Sequence, residues 1–207
     1  HSRDRERIPG ILDMVDDMGC NMIRCWGGNV YEDDILFDIC DKKGILVWQD
    51  FAMACRFPPQ DPEHQTAIAR EVRAVVRRLR QHACLALWSG DNEIDYSIAF
   101  HEKKDPNKVN KLTREVIPDI LAEEHWTIPY IPSSPYIDEE AYKKGLEYIP
   151  EHHPWGPRDY FKGDFYKNIT CHFASEIGYH GCPSPESIRK FITPEKVWPY
   201  KDNEEWL

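Results

Sequence analysis

Two glutamates stand just past the ends of two apolar runs. The first run, Cys84-Leu-Ala-Leu-Trp88, reads as a buried strand that breaks at Ser89-Gly90, with Glu93 immediately beyond. The second, Ile169-Thr-Cys-His-Phe-Ala-Ser-Glu-Ile-Gly178, repeats the design and carries Glu176 near its end. In a parallel α/β sheet chemistry collects at the carboxyl ends of strands, because strand interiors are closed by packing. Two carboxyl groups so placed suit cleavage of a glycosidic bond. One, protonated, gives its proton to the leaving oxygen, and the other attacks the sugar or activates water. Asn92, directly before Glu93, is placed to hold a sugar hydroxyl near the reacting carbon. Aromatic surroundings from Trp88 and Tyr96 would disfavour the ionised form of Glu93, as an acid requires. A nearby Arg24 would keep Glu176 ionised, as a nucleophile requires. Either glutamate alone reads as a salt-bridged strand-end carboxylate; the two together, with Asn92, point to a hydrolase.

The elements that must position these residues alternate along the chain. Ile8, Ile11, Leu12, Val15 and Met18 fall at helical spacing and predict a helix over 4–19, closed by Gly19. A strand follows at 21–26, ended by Gly27-Gly28, then a helix over 31–43 stopped by Gly44 and a strand over 45–50. After a Pro-rich loop, Ile68, Val72, Val75, Val76 and Leu79 mark a long helix over 63–82. The run at Cys84 comes next, then a helix over 108–124 that Pro118 kinks or splits. Residues 127–133 are extended. The stretch 135–168 has no clear period and is too long for a plain connection, so it holds a functional loop or a short hidden strand. The Ile169 strand and a short helix over 185–191, capped by Ser184 or Ser187, complete the pattern.

Such alternation predicts right-handed crossovers and a parallel sheet, with Arg24, Trp26, Asp50, Asn92, Glu93 and Glu176 on one side of it. No Gly-rich phosphate loop follows a strand: Gly27-Gly28-Asn29 is neither a dinucleotide fingerprint nor a P-loop. The expected fold is therefore α/β, a (β/α)8 TIM barrel rather than a doubly wound sheet. Five or six strands are visible, so the barrel is expected to be incomplete, lacking the first and last strands. The opening His-Ser-Arg-Asp-Arg-Glu-Arg reads as the inside of something longer, and residues 1–207 as a single catalytic barrel domain within a multidomain protein.

Composition narrows the partners. With 36 acidic against 26 basic residues the formal charge is −10, which argues against nucleic acid or an anionic membrane surface. No stretch approaches the about 18 apolar residues of a membrane span. Seven Trp and ten Tyr supply either core side chains or platforms for sugar rings. The seven Cys include no CxxC pair, and Cys84 and Cys171 read as small apolar thiols inside buried strands. Arg70, Arg73, Arg77, Arg78 and Arg80 interleave with Glu71 and read as a solvated helix face. His152, His153, His172 and His180 match no zinc spacing, and His172 reads as a satisfied core residue. No cofactor or metal is expected. The glycosylation pattern Asn168-Ile-Thr170 abuts a predicted core strand and reads as silent.

Four stretches together carry a resemblance: Asn21-Met-Ile-Arg-Cys-Trp-Gly-Gly-Asn-Val-Tyr-Glu32, Gly44-Ile-Leu-Val-Trp-Gln-Asp-Phe51, Leu87-Trp-Ser-Gly-Asp-Asn-Glu93 and Phe173-Ala-Ser-Glu-Ile-Gly178. In order and spacing they resemble the catalytic barrel of family 2 glycoside hydrolases, most of all the β-mannosidases, over nearly the whole chain. The resemblance implies a retaining exo-acting β-glycosidase that removes terminal non-reducing β-D-mannosyl residues from a glycoside or oligosaccharide substrate. It makes Glu93 the acid/base at the end of strand four and Glu176 the nucleophile at the end of strand seven, about 5–5.5 Å apart. Arg24, Trp26, Asp50, Trp88 and Asn92 match positions lining the terminal-sugar subsite, and His153-Pro-Trp155 resembles the segment around strand six, which adds Trp155. Asp91 stands where these enzymes often have Asn. Flanking β-sandwich domains and a secreted, periplasmic or lysosomal compartment are further implications. The competing readings are another family 2 specificity (exo-β-glucosaminidase, β-galactosidase or β-glucuronidase) and a catalytically inactive carbohydrate-binding barrel. The Arg-Cys-Trp-Gly-Gly and Trp-Gln-Asp-Phe stretches favour mannosidase or glucosaminidase.

Overall fold

The computed structural model of the chain describes residues 3–125, 127–156, 162–178, 181, 183–201 and 203–206. In order, the elements are α1 (Asp4–Asp17), β1 (Met22–Cys25), α2 (Asp34–Lys43), β2 (Leu46–Asp50), α3 (Pro62–Leu79), β3 (Leu85–Ser89), α4 (Ile94–Tyr96), α5 (Pro106–Val109), α6 (Ile117–Glu124), β4 (Tyr130–Ile131), α7 (Glu139–Lys144), β5 (Glu151–His152), α8 (Asp164–Lys167), β6 (Phe173–Ala174) and α9 (Pro185–Ile188). They belong to two compact units. The first comprises residues up to 153 together with 171–175, the second 154–170 and the residues from 176 onward. No helix of the described residues is long and apolar enough to cross a membrane.

The first unit is an α/β structure with parallel sheets. One sheet has the order β1-β2-β3-β4, every pair parallel, and β5 pairs with β6, also in parallel. Local chemistry explains why the helices start and stop where they do. Asp33 caps α2 by accepting from the Ile35 N–H, and Gly44 closes it at φ +71°, a left-handed conformation that glycine adopts without a Cβ clash. Asp61 caps α3 by accepting from the Glu63 and His64 N–H groups, with Pro62 opening the helix. Val72, Val76 and Leu79 of α3 are buried with Phe37 and Cys40 of α2, Val47 of β2, Leu85 and Trp88 of β3, and Ile117 and Leu121 of α6. Each large apolar side chain so buried contributes about 1.5–3 kcal/mol.

Pairing continues past the strand ends. Asn92 bridges Ala54 on one side and Ser134 on the other, both in parallel. The Cys55 N–H donates to the Asn92 carbonyl at 2.7 Å, and the Glu93 N–H donates to the Ser134 carbonyl at 2.8 Å. The segments after β2, β3 and β4 are thereby locked side by side.

Folding decides two open alternatives and overturns one expectation. The helix over 108–124 is split: α5 leads to a π-helical turn at Leu112–Val116, and α6 begins at Ile117 with Pro118 in its first turn. Proline has no N–H for an i→i−4 bond, so the ladder cannot run through it. The strand predicted from Ile169 shrinks to Phe173–Ala174, both exposed, with Cys171 half-buried and His172 exposed outside it. β6 pairs with β5 alone over two residues, so it lacks the flanking cover that would bury it, and Phe173 instead stacks on Trp48 at 6.2 Å. β5 itself is a short strand within the unpatterned stretch 135–168.

The arginine face of α3 is not simply solvated. α6 lies along α3 and sets Glu124 among three guanidiniums: Arg73 at 2.6 Å, Arg77 at 2.7 Å and Arg80 at 3.0 Å. Arg77 and Arg73 push the Glu124 carboxyl down to about 2. A carboxyl depressed on folding stabilises above its unfolded pKa, about 4.3 for glutamate, and that stabilisation disappears as pH falls through the folded value. The melting-temperature gap between the wild type and Glu124→Gln is therefore expected to be largest near neutral pH and to close between about pH 4.3 and about pH 2. Circular dichroism melts across that range check it; a gap unchanged down to pH 2 refutes the clamp.

Candidate active site

Arg24 near the end of β1 and Asp50 at the end of β2 form a bidentate pair. Nη2 lies 2.7 Å from Oδ2 and Nε 3.2 Å from Oδ1. The Asp50 side chain is fully buried and that of Arg24 is 12% exposed. Burial pushes the Asp50 carboxyl up, and the hydrogen bonds and charge of Arg24 oppose the shift. The Gly27 N–H donates a further bond to Oδ2 at 3.0 Å. Gly27 has to be glycine here, since a Cβ would come within 2.7 Å of the Met53 and Phe51 carbonyl oxygens.

Arg24 also organises its neighbours. Its Nη2 donates to Asn92 Oδ1 at 2.7 Å, and its Nη1 lies 3.3 Å from His153 Nε2. A guanidinium can only donate, so the amide of Asn92 is oriented: oxygen toward Arg24, nitrogen toward Cys55 Sγ at 3.6 Å. The guanidinium also lies over the Trp48 ring at 5.2 Å.

Glu93 takes a left-handed backbone conformation, φ +59°. That costs a non-glycine residue about 1–3 kcal/mol and persists only where surroundings over-determine it. Here its N–H is bound to Ser134, and its Oε1 lies 2.8 Å from His153 Nδ1. The Cys55 thiol faces Oε2 at 3.8 Å. A second buried network holds the same turn. Asp95 pairs with Arg114 at 2.6 and 2.7 Å and accepts from the Ile137 N–H. Asp91 accepts from the Ser133 hydroxyl, the Ile94 N–H and the Asn110 amide. Burial and the charge of Asp95 push the Asp91 carboxyl well up.

Trp155 and Glu176 belong to the second unit. There the Trp155 indole N–H donates to Glu176 Oε1 at 2.8 Å, and Trp155 bridges Gly178 in parallel. The Trp155 ring lies directly on Gly178, where a Cβ would come within 1.9 Å of it. Tyr166 braces this corner, its hydroxyl accepting from the Gly156 N–H and donating to the Gly178 carbonyl.

No family model matches the sequence. The chain is 30% identical to the β-mannosidase of Bos taurus over 217 residues, covering 93% of this chain and 23% of that protein. It superposes on the crystal structure of the β-D-mannosidase from Dictyoglomus thermophilum with a TM-score of 0.81 and 34% identity, over 92% of this chain and 24% of that one. The chain is a β-mannosidase-like domain of glycoside hydrolase family 2. It spans about a quarter of the length of these relatives. A β-glucuronidase from Bacteroides uniformis shares the fold at a TM-score of 0.51 and 21% identity, over 61% of this chain and 16% of that one.

In this β-mannosidase-like domain the residues expected at strand ends fall into place unevenly. Arg24, Asp50, Asn92 and Glu93 come together. Trp26 is 45% exposed, its ring resting on Gly28, where a Cβ would come within 2.0 Å. Trp88 does not join them. It is fully buried, stacked on Phe51 at 5.1 Å, with its indole N–H donating to His125. Its side chain leaves β3 on the face covered by α3 and α6, so it offers no surface to a ligand and does not surround Glu93. Of the histidines considered for a metal, His153 sits in this cluster, His172 is exposed and His180 lies outside the described residues. Ser134, Glu151 and Cys55 escaped the sequence reading, which took His153 only as part of a resembling segment and as a metal candidate, because loops and a two-residue strand such as β5 have no periodicity to mark them.

Removing one partner of a buried ion pair leaves an uncompensated charge, which costs about 3–5 kcal/mol. Arg24→Met is expected to lose about that much in urea unfolding, and Arg24→Met with Asp50→Asn to recover most of it. Additive losses would show that the pair is not coupled. Trp88→Leu is expected to lower the melting temperature while leaving KM unchanged; a raised KM with wild-type melting would return Trp88 to the ligand site.

Proposed function

We propose that the intact protein is a retaining, exo-acting β-glycosidase that removes terminal non-reducing β-D-mannosyl residues by double displacement. The observation that carries this reading is Glu93. It is a carboxylate forced into a left-handed backbone at the end of a parallel strand and held by His153 beside the buried Arg24–Asp50–Asn92 cluster, in a chain about 30% identical to β-mannosidases.

In this reading Glu176 attacks the anomeric carbon as Glu93 protonates the departing glycosidic oxygen, leaving a glycosyl ester on Glu176. Glu93, now ionised, takes a proton from water as that water attacks the same carbon, and the ester bond breaks with inversion to free Glu176. The Trp155 indole N–H donates to Glu176 Oε1 and so fixes the orientation of that carboxyl. Asn92, oriented by Arg24, and the exposed faces of Trp26 and Trp155 are the groups proposed for the terminal sugar. The parallel strands are read as part of a (β/α)8 barrel, of which this chain supplies a catalytic portion without the first and last strands, with β-sandwich domains flanking it in the intact protein.

Glu176→Ala is expected to abolish turnover of aryl β-mannosides by the full-length protein. Glu93→Ala is expected to cut kcat/KM about 10²–10⁴-fold for substrates with poor leaving groups and to spare those with good ones, which need no protonation. Full activity in both variants overturns the assignment. A panel of aryl β-mannoside, β-glucosaminide, β-galactoside and β-glucuronide decides the sugar: turnover of β-mannoside alone is expected, and no turnover of any of them means an inactive carbohydrate-binding barrel.

A further inference from the structure

Behind Glu93 lies a hydrogen-bonded chain that the double displacement does not itself use. The His153 side chain is fully buried. Its Nδ1 is 2.8 Å from Glu93 Oε1, and its Nε2 is 3.1 Å from Ser134 Oγ. Ser134 in turn donates its hydroxyl proton to Glu151, whose side chain is 13% exposed. We propose that His153, Ser134 and Glu151 form a relay that lets Glu93 and a distal carboxylate, Glu151, share one proton. The proposal rests on the reading of Glu93 as acid/base, and it makes the three residues positioning residues.

The donor inventory supports it. Ser134 has one O–H, directed at Glu151, so toward His153 it accepts, which places a proton on Nε2. A neutral imidazole protonated at Nε2 has a lone pair at Nδ1, and the partner there must donate. Glu93 then carries its proton, the state that a general acid needs before the leaving oxygen departs. In the opposite arrangement the proton passes from Glu93 to Nδ1, the one on Nε2 to Ser134 Oγ, and the one on Ser134 to Glu151. No proton is gained or lost, and Glu151 ends protonated while Glu93 is ionised. Arg24 Nη1, 3.3 Å from Nε2 and able only to donate, favours this second arrangement. Among the described residues, Tyr96 also faces the ring, with its centroid 6.5 Å away, and Glu151 Oε1 itself lies 3.8 Å from Nε2. Against the pull of Arg24, an ionised Glu151 keeps the Ser134 proton, and with it the one on Nε2, in place and so holds the proton on Glu93.

The test is the pH dependence of kcat/KM of the full-length protein on a β-mannoside with a poor leaving group, where the alkaline limb reports loss of the acid's proton. Glu151→Gln removes the distal charge. Ser134→Ala keeps that charge and cuts the chain. Both are expected to move the alkaline limb down by about one pH unit. Ser134→Thr, which keeps the hydroxyl, is expected to leave it in place. A limb unmoved in both overturns the relay, as does one moved by Glu151→Gln alone, which would be charge acting through space. If Ser134→Ala does not melt cooperatively, Ser134→Cys carries the same test with a much weaker donor. Glu93→Ala that leaves this substrate's turnover intact overturns the acid/base reading and the relay with it. Glu93→Ala that loses the turnover, with both relay variants keeping the wild-type limb, removes the relay alone.

Discussion

A guanidinium at the end of the first strand is the interaction on which the candidate site depends. Asp50 has no exposure to water, and a buried carboxylate is tolerable only if its lone pairs are met. Arg24 meets two of them and the Gly27 N–H a third contact. Because Arg cannot accept a hydrogen bond, the same group dictates what its other neighbours do. The oxygen of Asn92 turns toward it, and the Nε2 edge of His153 faces it. One ion pair between adjacent strands therefore propagates into the orientation of groups that arrive from two other segments.

The turn that carries Glu93 is under strain, and the strain is opposed from two directions. Parallel pairing extends beyond β2, β3 and β4, so that Asn92 and Glu93 are fixed by backbone bonds to the segments on either side. Beneath them, the Asp95–Arg114 pair and the Asp91–Ser133 contact fill the interior with hydrogen-bonded polar groups rather than apolar ones. A buried polar network of this kind specifies geometry closely, because each donor has a direction. It suits a site in which a side chain must be held, rather than merely buried. The second unit shows the same economy at Trp155, where an indole lies on a glycine and aims its N–H at Glu176.

Much of the architecture was legible in the chain itself. Helical spacing of apolar residues, Asp33 and Asp61 as caps and Gly44 as a stop are local signals, and the helices begin and end at them. Alternation of strands and helices was enough to expect a parallel sheet and to place Arg24, Asp50 and Asn92 together, since residues just past parallel strands emerge on one side. Other features could not be read. An apolar run such as Leu85–Ser89 has no alternation, so nothing in it said that Trp88 would point into the core rather than toward a ligand. The arginines of α3 looked like a solvated face because their partner Glu124 lies 44 to 51 residues further along the chain.

Local sequence, then, determined where chain elements start, how they alternate and which carboxylates stand at strand ends, because capping, helical period and strand-breaking glycines act over a few residues. Only the tertiary structure decided the face of Trp88, the partners of Glu124 and the convergence of His153, Ser134 and Glu151 behind Glu93. Those outcomes depend on hydrogen bonds and ion pairs between segments distant in sequence, and such directional contacts leave no periodic trace in the segments that supply them.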